Sequence, residues 1–229
     1  MKPAILAIVL RRPLLISLAG AALAACTASS QPATRLELAR SLVLVPIHDP
    51  QGALTRLARA VETDPMSGLR VATATLPGDE AGAIINGPDR RTFELYQRAH
   101  TDLDAPDSYR YAYERERDEH GDERWRVHCL ASSYALLPGD LVDARIVEDP
   151  HDGRPRIRVE LGPDDRKDLA ELTASFVGRR IAVVTGDEVL MAPLVTQPLL
   201  TGVLEISPAD RSRPELEALF KQLFRLAPQ

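Results

Sequence analysis

Gly178 and the pair Gly186-Asp187 fence off residues 180–184, Arg-Ile-Ala-Val-Val, a run rich in β-branched residues. Such a run reads as a strand entered from a helix stop and left through a tight turn. Residues 188–191 return as the second arm of a hairpin, which Ala192-Pro193 ends. Upstream of the stop, Gly162-Pro163-Asp164 opens a helix whose inward stripe is Leu169, Leu172 and Phe176, apolar positions three or four apart. That helix follows a strand at 157–161, where Ile157, Val159 and Leu161 alternate with Arg158 and Glu160 at the two-residue period of a sheet. A further strand is expected at 199–206. Ser212 and Glu215 then have the spacing of a capping box before a last helix carrying Leu216, Leu219, Phe220 and Leu223 at helical intervals. The order strand, helix, hairpin, strand, helix predicts an α+β fold, a mixed or antiparallel sheet packed against helices.

Ahead of that unit, Tyr109, Tyr111 and Tyr113 alternate with Arg110, Ala112 and Glu114, the pattern of a half-buried strand. A hairpin is expected, turning at 119–122 and returning with Trp125, Val127 and Cys129 on one face. His128 beside Cys129 does not make a nucleophile and base, because neighbouring side chains of a strand point to opposite faces. Residues 41–47 read as a buried strand. Asp49-Pro50 supplies an N-cap and first-turn proline for a helix presenting Leu54, Leu57 and Val61, and Asp64-Pro65 ends it,. Strands at 69–75 and 83–85 and a helix at 90–100 follow.

The chain opens with Lys2, Arg11 and Arg12, then an apolar stretch from Leu14 to Ala25 that ends Leu23-Ala24-Ala25-Cys26. This is the pattern of a secretory signal, and its apolar stretch is well below the roughly 20 residues a spanning helix needs. The end of the run resembles the lipobox of bacterial lipoproteins, which implies cleavage before Cys26 and attachment of its thiol to diacylglycerol. Four segments are expected: signal peptide at 1–25, tether at 26–35, an N-terminal αβ extension at 36–105 and the main domain at 106–229. Removing Lys2, Arg11 and Arg12 from the 28 basic residues leaves 25 against 33 acidic ones, a net charge of −8, so nucleic-acid binding by phosphate neutralisation is not expected. Cys129 is the only other cysteine and has no disulfide partner once Cys26 is lipidated.

Residues 176–184, Phe-Val-Gly-Arg-Arg-Ile-Ala-Val-Val, followed by 188–195, Glu-Val-Leu-Met-Ala-Pro-Leu-Val, resemble the head subdomain in the large periplasmic domain of SecD, the protein-export membrane subunit. Residues 137–144, Leu-Pro-Gly-Asp-Leu-Val-Asp-Ala, are similar to the family's Leu-Thr-Gly-x-x-Leu-x-Asp-Ala segment, one residue shorter. The resemblance runs from about Tyr109 to Leu226 and marks Gly139, Asp143, Gly178, Arg179, Arg180, Ala192, Pro193 and Gly202 as family-motif positions of structural type. The sequence departs from the family at the hairpin turn, with Gly186-Asp187 for Asp-Gly, and keeps only Gly202 where paired glycines are usual. SecD proteins continue into transmembrane helices that couple proton flow to export. No such stretch follows Leu226, so this chain is not expected to be that motor.

The resemblance implies a non-catalytic module that contacts translocated polypeptide or export machinery, held on the periplasmic side of the bacterial envelope through Cys26 in the lipid bilayer. An envelope scaffold binding one folded partner is the alternative, and an uncharacterised hydrolase a lesser one. Ser132-Ser133 lack the Gly-x-Ser-x-Gly context of a nucleophile turn, and His48, His100, His120, His128 and His151 have no metal-ligand spacing,. No metal, cofactor or catalytic residue is expected. The acidic turn around Asp118, Glu119, Asp122 and Glu123 lacks the ordered oxygen spacing of a calcium loop,. Gly178-Arg179-Arg180 reads as a helix stop with arginine stems lying over apolar surface rather than as an anion clamp.

Overall fold

A computed structural model describes residues 36–38, 42–49, 52–72, 84–117, 120–132, 136, 138–208 and 211–226. Cys26, the signal and the tether lie outside the described residues. Strands β1 (Leu36–Leu38) and β2 (Leu42–Pro46) lead to helix α1 (Ala53–Thr63), then β3 (Arg70–Ala72), β4 (Ile84–Gly87) and α2 (Arg90–Ala99). A 3-10 turn, Thr101–Leu103, precedes the long hairpin β5 (Tyr109–Arg117) and β6 (Glu123–Ala131). Next come β7 (Leu141–Glu148), β8 (Pro155–Leu161), α3 (Pro163–Ser175), β9 (Ile181–Thr185) and β10 (Glu188–Met191). The chain closes with β11 (Val203–Ile206), α4 (Arg213–Leu223) and β12 (Phe224–Leu226). The α+β architecture expected from the sequence is the one observed.

Seven strands form one sheet in the order β2-β9-β10-β5-β6-β4-β3. Its N-terminal strands are hydrogen-bonded to strands beyond residue 106: β2 to β9, and β4 to β6. The pairing of β10 with β5 is parallel, with Val189 beside Glu114, and makes the sheet mixed. The sheet also curls until β2 meets β6. Ile47 bridges Leu130, and the His48 N–H donates to the Cys129 carbonyl at 3.2 Å. The ring β2-β9-β10-β5-β6 is therefore closed as a five-stranded barrel. So small a ring leaves a narrow lumen, and the apolar residues that fill it are mostly alanine and valine: Ala112, Ala182 and Ala192 with Val45, Val184 and Val189, and one larger side chain, Leu130.

Outside the barrel, two layers cover the other face of the same strands. Helices α1 and α2 place Leu57, Val61, Phe93 and Tyr96 against Tyr113, Val127, Cys129 and Ile85. A second sheet, β11-β8-β7, packs Ile157, Val159 and Leu161 with Leu169 of α3 and Leu216, Leu219 and Leu223 of α4 against Leu42, Leu44, Ile181 and Val183. Strand β1 pairs antiparallel with β12, joining the first described residues to the last.

Several local expectations are corrected. The first helix begins after Gly52, with the Asp49 carboxylate accepting from the Ala53 and Leu54 N–H groups from farther upstream than a direct N-cap. The strand expected at 199–206 is shortened to β11, because residues 199–202 run beside α3: the Leu199 N–H donates to Thr173 Oγ1 at 2.9 Å, and Gly202 turns at φ 70°. The face of β5 opposite the tyrosines, expected to be solvated, is instead lumen, with Ala112 and Glu114 buried. Two further departures are that β4 runs on to Gly87 and that β12 was not anticipated; β3 is described over Arg70–Ala72, and the part of the strand expected at 69–75 that follows Ala72 lies outside the described residues.

Gly202 has no tolerance for a side chain: its φ is in the left-handed region, and an added Cβ would lie 2.8 Å from Arg166 Cγ. Gly202→Ala is expected to cost about 1–3 kcal/mol by strain and overpacking, lowering the urea midpoint. Gly139→Ala, where an added Cβ meets nothing within 4 Å, is expected to change stability by less than about 0.5 kcal/mol in the same urea titration.

Candidate functional site

The lumen is apolar except near the tip end of the β5–β6 hairpin. There, alternation on β5 and β6 directs Glu114, Glu116, Arg126 and His128 to the lumen side, and Arg180 enters from the residue before β9. His128 Nε2 lies 2.7 Å from Glu114 Oε2, with the two side chains only 8% and 10% exposed. Arg126 pairs with Glu116 at 2.9 Å, and Arg180 Nη1 donates to the Ala192 carbonyl at 2.6 Å. Burial pushes Glu114 toward the neutral form, but the hydrogen bond and charge of His128, together with Arg126 and Arg180, outweigh it and hold the carboxyl below its usual range,. Glu116 goes the other way: its own burial and the charge of Glu114 outweigh Arg126 and raise it. The two carboxyls, two residues apart on one strand, thus divide into one that stays ionised and one that takes up a proton more readily.

Cys129 lies on the opposite face from His128, buried against α1, and burial with the charge of Asp49 pushes its thiol up to about 12. A nucleophilic thiol needs the reverse environment. On that same face the Tyr113 hydroxyl donates to Gln97 Oε1 at 2.7 Å, and Arg90 lies over the Tyr113 ring at 5.4 Å while its Nη1 donates to Asp187 Oδ1 at 2.9 Å. This cluster fastens α2 to the β9–β10 turn. Asp187 is held below its usual range chiefly by the Arg90 hydrogen bond.

The family-motif residues do not converge on one point. The Gly139 and Asp140 N–H groups both donate to Asp165 Oδ2 at 2.7 Å, which fixes the segment before β7 to the first turn of α3. Asp143 pairs with Arg145 at 2.6 Å on β7. Gly178 turns at φ 84° and its N–H donates to the Val195 carbonyl, while Arg179 lies over the Phe176 ring at 6.0 Å. The Ile181 N–H donates to the Pro193 carbonyl at 3.2 Å, and Ala192 lines the lumen. Gly202 lies against Arg166, and its carbonyl accepts from Leu161 N–H at 2.9 Å. Apart from Asp143–Arg145, which lies within β7, and Arg179 over Phe176, within the α3–β9 connection, these contacts join one segment of the chain to another. The buried Glu114–His128 pair was missed in the sequence: the alternation around Tyr109–Tyr113 and Trp125–Cys129 already puts both on the second face, but only a fixed hairpin register brings them together.

Among the described residues there is no group of three or more His, Cys, Asp or Glu side chains able to hold a metal ion, and no helix is long and apolar enough to cross a membrane. Residues 113–217, from inside β5 to inside α4, match the family SecDF, P1 head subdomain. The chain carries a SecD-type head subdomain. Among proteins it resembles, the protein translocase subunit SecD of Acidaminococcus fermentans is 37% identical over 78 residues, 34% of this chain and 18% of that protein. The protein translocase subunit SecDF of Thermus thermophilus is 38% identical over 68 residues, 29% of this chain and 9% of that one. The chain therefore spans less than a fifth of either. A solved structure of SecDF, a membrane component that enhances protein export, aligns over 82% of this chain and 98% of its own at a TM-score of 0.36 and 18% identity. The SecD-type match contains β9, β10 and the motif positions that order the segments around them; β1 to β4 and both N-terminal helices precede it.

Breaking a buried charge pair by removing one partner costs about 3–5 kcal/mol, so Glu114→Gln is expected to lower stability by that order at pH 7. The Glu114→Gln/His128→Gln double variant is expected to recover part of it. Because the native carboxyl lies below its usual value of 4.5, its contribution is complete above that pH and is lost as pH falls through the lower native value. Urea unfolding from pH 7 to 3 is expected to show a steeper acid loss in the parent than in the double variant. Cys129 is expected to resist alkylation at pH 8 in the folded protein and to react fully in urea.

Proposed function

We propose that this chain is an exported, lipid-anchored and non-catalytic protein-binding module of the bacterial envelope, contacting translocated polypeptide or the export machinery from the periplasmic side. The match of residues 113–217 to the SecDF head subdomain carries this reading. The lipobox-like Leu23-Ala24-Ala25-Cys26 supports the anchor, with a signal at 1–25 and a tether at 26–35. The residues from 36 to 105 and from 106 to 229 act together, since strands from both make up the barrel.

A binding role suits the chemistry of the cluster better than turnover does. Glu114 and His128 are enclosed with each other, and the one described cysteine is buried with a raised thiol. Neither arrangement presents a base or nucleophile to a substrate. Extended polypeptide is recognised in a sequence-tolerant way when it adds to a sheet edge, where main-chain hydrogen bonds supply the affinity.

Affinity purification of the full chain from membranes after gentle cross-linking tests the reading. Recovery of export machinery or of many unfolded clients is the expected result. Stoichiometric recovery of one folded partner would replace it with the scaffold alternative, and turnover of a small substrate by the purified chain would overturn it.

A further inference from the structure

Helix α4 has two ends of different character. At its start, the Ser212 cap gathers both long hairpins: Arg115 and Arg117 beside the β5–β6 tip lie 3.8 and 3.6 Å from Glu215, and Arg213 pairs at 2.6 Å with Glu148, the last residue of β7 before its turn into β8. At its far end α4 runs without a break into β12, which pairs with β1. Eleven residues of helix put about 16 Å between those ends.

Strand β1 is also where the chain arrives from Cys26. Leu36 is ten residue steps from Cys26, and whatever their conformation those steps reach at most about 35 Å. A folded body of about 190 residues has a radius of gyration of about 16 Å and so a width of roughly 40 Å. A leash shorter than the body it holds does not let that body turn its attachment point away from the lipid.

Resting on the lipid-anchor reading above, we propose that the β1–β12 ribbon faces the bilayer and that the two hairpin tips gathered at Ser212 face away from it. The membrane-distal surface is then residues 120–123 at the entry to β6, the β7–β8 turn with Asp152 and Arg154, and the start of α4. It is a charged surface of both signs, suited to a hydrated polypeptide partner rather than to lipid. The bilayer is the occupant of the opposite, ribbon end.

The test uses the full chain, purified after lipidation and reconstituted into phosphatidylethanolamine–phosphatidylglycerol vesicles whose headgroups carry an energy-transfer acceptor. A donor is attached at Gln222→Cys, exposed near the ribbon, or at Asp152→Cys, exposed in the β7–β8 turn; the buried Cys129 does not compete for label. Circular dichroism checks that both variants fold as the parent does. Transfer from position 222 is expected to exceed that from position 152 at least twofold. Equal or reversed transfer with a lipid-modified Cys26 overturns the orientation alone. An unmodified Cys26, read by mass spectrometry of the intact protein, overturns the anchor and the orientation with it.

Discussion

The two-sided burial of β9 is the constraint on which the rest of the structure depends. All five of its residues are buried. Ile181 and Val183 enter the core shared with the second sheet, α3 and α4, while Ala182 and Val184 enter the barrel lumen. One strand therefore belongs to two cores at once, and neither side of it has room for a polar atom without a partner. Its neighbours are fixed by the same fact. Around β9 the lumen is filled by the short side chains of Val45, Ala112, Val189 and Ala192, and the outer face accepts the larger aliphatic residues of β8 and α4. The head-subdomain motif surrounds this strand because the turns and bridges that place it, Gly178 on Val195 and Ile181 on Pro193, decide whether both cores fill.

Against so apolar a lumen, the Glu114–His128 pair is costly, and a pair of well-packed aliphatic side chains in its place would often be as stable or more so. Its location suggests what it contributes instead. Cys129 and Leu130, the residues after His128, make the backbone contacts with Ile47 and His48, just past β2, that close the ring. A buried pair with one good geometry penalises a slipped strand, which would leave both groups without partners. The pair thus favours a single register against β5 for β6, the strand that carries Cys129 and Leu130 to the seam.

What was legible in the sequence was what short-range chemistry decides. The helix at 163–175 follows from its proline-opened first turn and apolar stripe, α4 from Ser212 and Glu215, whose reciprocal capping contacts are present, and the β5–β6 hairpin from its alternating aromatic residues. The SecD-type resemblance was also legible, because its motif lies in turns whose glycines and prolines are local signals. What the sequence did not disclose is long-range. Nothing in residues 42–46 indicates that they pair with 181–185, and nothing in residues 188–191 announces a parallel partner at 113–114. The candidate site was hidden for the same reason. Glu114 and His128 are each unremarkable in their strands, and their meaning arises only when a curled sheet turns an expected outer face inward. Residues 199–202 misled because their apolar character suits a strand, whereas Thr173 and Arg166 of α3 engage them first.

The pairing of Leu36–Leu38 with Phe224–Leu226 has a consequence for the order of events in folding. Strand β1 has no strand partner among the described residues until β12 has been made, so it waits while the residues between them are synthesised. Contacts that span nearly the full length of a chain close slowly and close last. The barrel and both helical layers can assemble while the ribbon is still open, and the three residues of β12 then act as a clasp on β1.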